Sequence, residues 1–396
     1  MDKLKKYLPF LAIYLLTTGI SFATLSFAAD RNQSTVSPVQ EDDLQPGGIG
    51  MYFSGPKDQV CPINGEMFTS EQKDIWEERR PLTVMVENHL DARPLSGISR
   101  ADVVYEAVAE GGITRLMGVY YCRATEPADP KYDVGPVRSA RSYFVDLASE
   151  YSEYPLYAHV GGANCSAPEG GACTTNIKVR ALEQIADYGW LKNGNDLNQF
   201  NLGYNVCRRE PSRTGVEKAY EHTVYCSTEA LWQTAEQRGL EGWDEEYFTS
   251  WQFKDGTTKS DRGDVNEISF DFWEGYSDYR VRWSYDKESN LYSRANGGKD
   301  DVDHMTGEVI KASVVAVQFA VEEGPLDEHK HMFYELVDDG KALIFQDGEV
   351  ISGTWEKDDR TERTIFYDNS GKEIKFNRGQ VWIEVLPSGN KVDYES

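Results

Sequence analysis

The sequence predicts an α/β unit, with a largely parallel sheet and flanking helices, followed by a smaller and mainly antiparallel β unit. Three observations carry that reading. From about Pro81 to Leu240 short apolar runs alternate with amphipathic stretches, the pattern of strands and helices taking turns. After about Glu241 the hydrophobic period changes from 3.6 to 2, with β-branched and aromatic residues prominent. Turn pairs such as Asn296-Gly297, Asp339-Gly340, Asp347-Gly348 and Arg378-Gly379 then recur between short runs. The expected units are residues 59–244 and 245–396.

Within the first unit, "PLTVMVEN" (81–88) reads as a buried strand. "SRADVVYEAVAEGG" (99–112) reads as a helix, with Ser99 and Asp102 at its start and Gly111-Gly112 as its stop. "ITRLMGVYYC" is the next strand. "SARSYFVDLASEYSEY" is the next helix, placing Tyr143, Phe144, Leu147, Tyr151 and Tyr154 on one apolar face. "PLYAHVGG" gives a third strand, and "NIKVRALEQIADYG" and "STEALWQTAEQRGL" two more helices. In the second unit "KALIFQDGEVISGTWEK" is a hairpin turning at Asp347-Gly348.

The N-terminus reads as an export segment. Lys3, Lys5 and Lys6 precede an uncharged run from Tyr7 to Ala29, and Ser26-Phe27-Ala28 offers small residues for cleavage. The same run is long enough for an uncleaved anchor, so residues 1–29 are a signal peptide or signal anchor, the only expected membrane contact. Residues 30–58, rich in Gln, Ser, Pro, Asp and Gly, read as a flexible linker. A net charge of -25 disfavours nucleic acid, because phosphate backbones are held by clustered cations that this chain lacks in bulk.

Six cysteines in an exported chain point to three disulfides among 15 possible connectivities. The expected pairs are Cys165 with Cys173, bracketing a Gly/Pro loop, Cys207 with Cys226, enclosing His222, and Cys61 with Cys122. No CxxC or Cys-x-x-His spacing supports zinc, and neither a metal nor a cofactor is expected.

Ligands of open α/β sheets sit where strands end and helices begin. Three segments fit: Glu87-Asn88-His89, the loop leading to Arg138 and Arg141, and His159-Val160-Gly161-Gly162. In "DVGPVRSAR" two arginines fall in what reads as the first turn of a helix, whose N-terminus already favours an anion. Either a bound anion or an internal acidic ladder of Asp102, Glu106 and Glu110, spaced i, i+4, i+8, balances them. Arg115 on its strand needs a carboxylate if buried, and Glu106 or Glu110 is the expected partner. The candidate ligand-binding set is therefore Arg138, Arg141, Arg115, Asn88, His89, His159 and His222. His329 and His331 read as an exposed strand. The chain carries no G-x-S-x-G elbow, Walker A, HExxH or G-x-G-x-x-G motif.

The blocks "RRPLTVMVENHLDARPLSGISRADVVYEAVAEGGITRLM", "VGPVRSARSYFVDLASEY", "YAHVGG", "EHTVYCSTEALW", "YSRANGGKDDVDHMTGEVI" and "RGQVWIEVLP" resemble, in order, the YerB-like family of exported bacterial proteins, a domain of unknown function numbered 3048. The resemblance covers about Arg79 to Pro387 and implies N- and C-terminal units, export and frequent membrane tethering, with no established activity. This chain lacks the lipobox cysteine of lipoprotein members. No reaction is identified. The leading expectation is an extracytoplasmic envelope protein binding an anionic glycan, phosphate or peptide carboxylate, with cell-wall glycan or envelope proteins as partners. The alternatives are an envelope hydrolase with His159 or His222 as general base and a non-enzymatic scaffold.

Overall fold

A single mixed sheet of ten main strands runs through both halves of the chain. The computed structural model describes residues 53–125, 132–165, 172–243 and 247–395; the expected export segment and most of the expected linker lie outside them. The sheet is built from β1 (Leu82–Glu87), β2 (Val103–Glu110), β3 (Ile113–Tyr120), β4 (Leu156–His159), β5 (Asp196–Asn198), β6 (Val314–Glu323), β7 (Asp339–Gln346), β8 (Glu349–Glu356), β9 (Ile365–Asp368) and β10 (Val381–Pro387). Their spatial order is β9-β8-β7-β6-β10-β2-β3-β1-β4-β5, and Phe333–Glu335 adds a short strand to β6.

One expectation is corrected here. The sheet is mixed rather than largely parallel: β1–β4, β4–β5, β6–β10 and β10–β2 are parallel, whereas β2–β3, β3–β1 and the β6 to β9 meander are antiparallel. Strands from both sides of residue 245 share it. β10 pairs with β2 from Val381↔Val103 to Glu384↔Glu106, so backbone hydrogen bonds join the two sequence segments.

The predicted helix 99–112 is instead strand β2, joined to β3 by a turn at Gly111 and Gly112, both at positive φ. β2 is buried on both faces, so it shows no period-2 alternation. Its Val-Val-Tyr content suits a sheet, and Gly-Gly is a hairpin signal as much as a helix stop. The other helices are short: Ser70–Glu77, Ser142–Ser149, Ala181–Asp187, Trp190–Asn193 and Thr228–Gln237. Ser142–Ser149 buries Tyr143, Phe144 and Leu147 as its apolar spacing requires. Its end is tied to the second segment by Glu150, which accepts from Thr364 Oγ1 at 2.6 Å and pairs with Arg363 at 3.0 Å. The hairpin β7–β8 turns at Asp347 and Gly348, both at positive φ, as a two-residue hairpin loop demands.

A second, antiparallel sheet of Glu267–Phe270, Val281–Asp286, Leu291–Asn296 and short flanking strands covers one face of the first. Val281, Trp283 and Tyr285 alternate inward, and Trp283 meets Trp382 of β10 edge to face at 5.2 Å. Disulfides join Cys61–Cys122, Cys165–Cys173 and Cys207–Cys226. Among the described residues no helix is long and apolar enough to cross a membrane.

Candidate functional site

The "GPVRSAR" block is a wedge between two strands. β1 pairs with β4 only through Leu82, Thr83 and Val84. Beyond that the strands part, and the block fills the gap. On the β1 side Glu87 N–H donates to Pro136 O at 2.9 Å and Arg138 N–H to Met85 O at 2.9 Å. On the β4 side Val160 N–H donates to Arg138 O at 3.1 Å and Ala140 N–H to Gly161 O at 2.9 Å. Gly135 starts the wedge because a Cβ there would stand 2.7 Å from Val224 O and 2.9 Å from Tyr225 Cδ1. The helix begins only at Ser142 with Arg141 as its N-cap, so Arg138 lies in extended chain and not in a helical first turn.

This placement collects three guanidinium groups and two carboxylates. Glu110, at the end of β2, pairs with Arg115 at 2.8 Å and with Arg141. Burial alone would raise the Glu110 pKa, but Arg115 and Arg141 outweigh it and hold it down at about 2. Burial, reinforced by Arg141, pulls Arg115 down to about 10 against the pull of Glu110 and Glu87. Glu87, the register neighbour of Arg115 across β1 and β3, holds Arg138 Nε at 3.3 Å with one oxygen and His222 Nδ1 at 2.9 Å with the other. The hydrogen bond to Glu87 raises the His222 pKa against the opposing effect of burial. The His222 ring stacks on His89, with centroids 4.9 Å apart and planes at 13°.

The acidic ladder does not face the arginines as a unit. Asp102, just before β2, is fully buried and accepts from Asn64 Nδ2 at 2.7 Å, Tyr121 N at 2.6 Å and Arg123 N at 3.1 Å. Burial pushes its pKa up to about 7 despite Arg123 nearby. Glu106 accepts from Asn88 Nδ2 at 2.9 Å and Thr114 Oγ1 at 2.6 Å, and pairs with Arg294. Only Glu110 reaches the block, and of the two partners expected for Arg115, Glu106 and Glu110, it is the one that pairs.

Two candidates fall away from it. Asn88 is committed to Glu106, Thr114 and Arg93 in the core between the sheets. His159 is buried, with Nε2 2.6 Å from Asp196 Oδ1 on β5 and Nδ1 2.7 Å from Gly161 O just after its own strand, so both ring nitrogens are engaged. That removes it as an accessible base. Arg138 and His89 are 28% and 30% exposed at their side chains, which puts the open side of the cluster at a rim. Clefts of about 610, 450 and 380 Å³ open elsewhere and are lined by none of Arg115, Arg138, Arg141, His89 or His222. His329 and His331 lie in the loop before Phe333–Glu335, where His331 Nδ1 meets Asp327 Oδ2 at 2.7 Å.

Residues 68–241 match the family described as protein of unknown function (DUF3048) N-terminal domain, and residues 268–383 match its C-terminal domain. The chain belongs to the DUF3048 family. It is 30% identical over 329 residues to the Bacillus subtilis (strain 168) protein named "Putative lipoprotein YerB", spanning 83% of this chain and 86% of that one. Its fold is similar to the crystal structure of YerB from Bacillus subtilis, with a TM-score of 0.65 and 26% identity over 85% of this chain and 99% of that chain. The DUF3048 match also explains the two sequence segments: they are the N- and C-terminal family domains, here sharing one sheet.

Proposed function

We propose that this DUF3048 protein is an extracytoplasmic envelope protein that binds an anionic group, phosphate or carboxylate, at the rim formed by Arg138, Arg141 and Arg115. The carrying observation is that three guanidinium groups gather on Glu87 and Glu110, with the exposed Glu221 acting on Arg138 from outside, in a chain of net charge -25. Arg115 and Arg141 are buried and share Glu110, so they supply field, whereas partly exposed Arg138 supplies the reachable fork. The envelope setting is supported by three disulfides, which persist in oxidising compartments, and by the lipoprotein name of the Bacillus relative. Calorimetric titration with inorganic phosphate and with wall fragments carrying free carboxylates tests the reading. Saturable binding weakened about tenfold by Arg138→Ala, as loss of a charge-assisted pair implies, supports it. Absence of binding to either probe contradicts it.

One observation favours a second reading. Glu87 fixes His222 Nδ1 at 2.9 Å, the carboxylate–imidazole arrangement of a general base. An envelope hydrolase would then use His222 and not His159. Turnover of wall fragments abolished by His222→Gln would favour that reading over simple binding.

A further inference from the structure

We infer that His89, Asp91 and His222 form a binding site for one divalent transition-metal ion of the zinc or cobalt kind. One ligand atom from each of the three lies within 4.8 Å of those of the other two. His89 follows β1 and caps the turn Leu90–Ala92, its Nδ1 accepting from Asp91 N at 3.2 Å and lying 3.7 Å from Asp91 Oδ2. His222 ends the turn Tyr220–His222, brought alongside by the pairing of Val224 with the wedge.

The ring of His222 is already set as a metal ligand would be. With Glu87 Oε2 at 2.9 Å placed to accept the hydrogen of Nδ1, an unprotonated ring presents its lone pair at Nε2. Ligands on a ~2.0–2.1 Å shell stand ~3.4 Å apart in tetrahedral geometry, so the trio contracts on binding. The mobile partners are the exposed ones: the Asp91 side chain is 72% exposed and that of His89 30%, while His222 at 8% stays in place. Two imidazoles and one carboxylate suit borderline ions and not magnesium or calcium, which take oxygen shells. Three protein ligands leave one position open on a four-coordinate ion. The cation site stands on its own three ligands and does not require an anion at Arg138.

The test is titration of the metal-free full chain with Co²⁺, followed by visible absorbance, with Zn²⁺ as competitor. The expected result is one saturating equivalent with ligand-field bands, displaced by Zn²⁺. Affinity falls at least ~10-fold in Glu87→Gln, the usual effect of removing an outer-shell partner, and further in His89→Ala and Asp91→Asn. His89 and Asp91 are solvent-facing, and unchanged circular dichroism establishes that those variants fold. His329→Ala, altering an exposed histidine in another loop, binds as wild type. Absence of saturable ligand-field bands, equal affinity in folded His89→Ala, or loss of binding in His329→Ala overturns the site. Phosphate titration in chelator reads the anion proposal separately.

Discussion

Two ionic clusters lie on the two faces of the same hairpin, β2–β3, and they are built differently. On one face Arg294 is fully enclosed with Glu106 and Asp301, stacked 4.7 Å over the Trp382 ring. Glu384 lies beside them in register with Glu106 and donor-bonded by Trp283 Nε1 at 2.9 Å. Burial, then the charge of Glu106, drives the Glu384 pKa well up, so its proton spares the core a third negative charge. On the other face Arg115, Arg138 and Arg141 share Glu87 and Glu110, and Arg138 sits partly exposed at the rim, where Glu221 also acts on it. With Arg93 also acting on Asp301 and Glu106, the first cluster sets two cations against two carboxylates inside the protein. The second is left with positive charge facing water, which is the distinction between a fold-holding network and a binding surface.

The largest expected effect breaks the closed cluster. Arg294→Ala strands Glu106 and Asp301, and breaking a buried pair costs ~3–5 kcal/mol. Thermal or urea melts check it, and a loss below about 1 kcal/mol would erase the contrast drawn between the clusters.

Next comes the acid limb. The folded pKa of Glu110, about 2, is below its ordinary 4.5, so its contribution is present above pH 4.5 and is lost as pH falls toward 2. The shift corresponds to no more than about 3 kcal/mol. Urea melts across that window should show the wild type losing this stability, with the loss absent from Glu110→Gln.

Smaller still is the wedge itself. Gly135→Ala places a methyl against Val224 O and the Tyr225 ring, and overpacking costs ~1–3 kcal/mol. Melting of the variant checks it. A neutral substitution would mean that the block tolerates displacement and does not position Arg138.

Much of the fold was readable where local chemistry decides it. Strands β1, β3 and β4 follow from their apolar runs, Thr228–Gln237 from its cap and periodicity, and β7–β8 from Asp347-Gly348. β2 was misread because burial on both faces erases alternation, leaving a Glu-Ala-rich run that also satisfies helical spacing. Its pairing with β10 has no local signal, since the partners are Val103 and Val381 and contact between them is decided only by packing. The site was half readable. The sequence pointed to Arg138, His89 and His222, but the strand parity that turns Glu87 toward them and Asn88 toward Glu106 depends on β1 having opposite neighbours on its two faces. Asp91 was missed because it lies in a three-residue turn with no periodicity. The burial of His159 on Asp196 rests on β4 meeting β5, another long-range pairing.

The most direct test of the central claim is the melting temperature of wild type and Arg138→Ala with and without inorganic phosphate. Arg138 contributes a partly exposed contact at 3.3 Å, so its removal should change stability in plain buffer by no more than ~1 kcal/mol. Phosphate should raise the wild-type melting temperature through ligand linkage and raise that of Arg138→Ala by clearly less at the same concentration. A large loss of stability in plain buffer, with no phosphate shift in the wild type, would make Arg138 a folding residue like Arg294 and contradict the account.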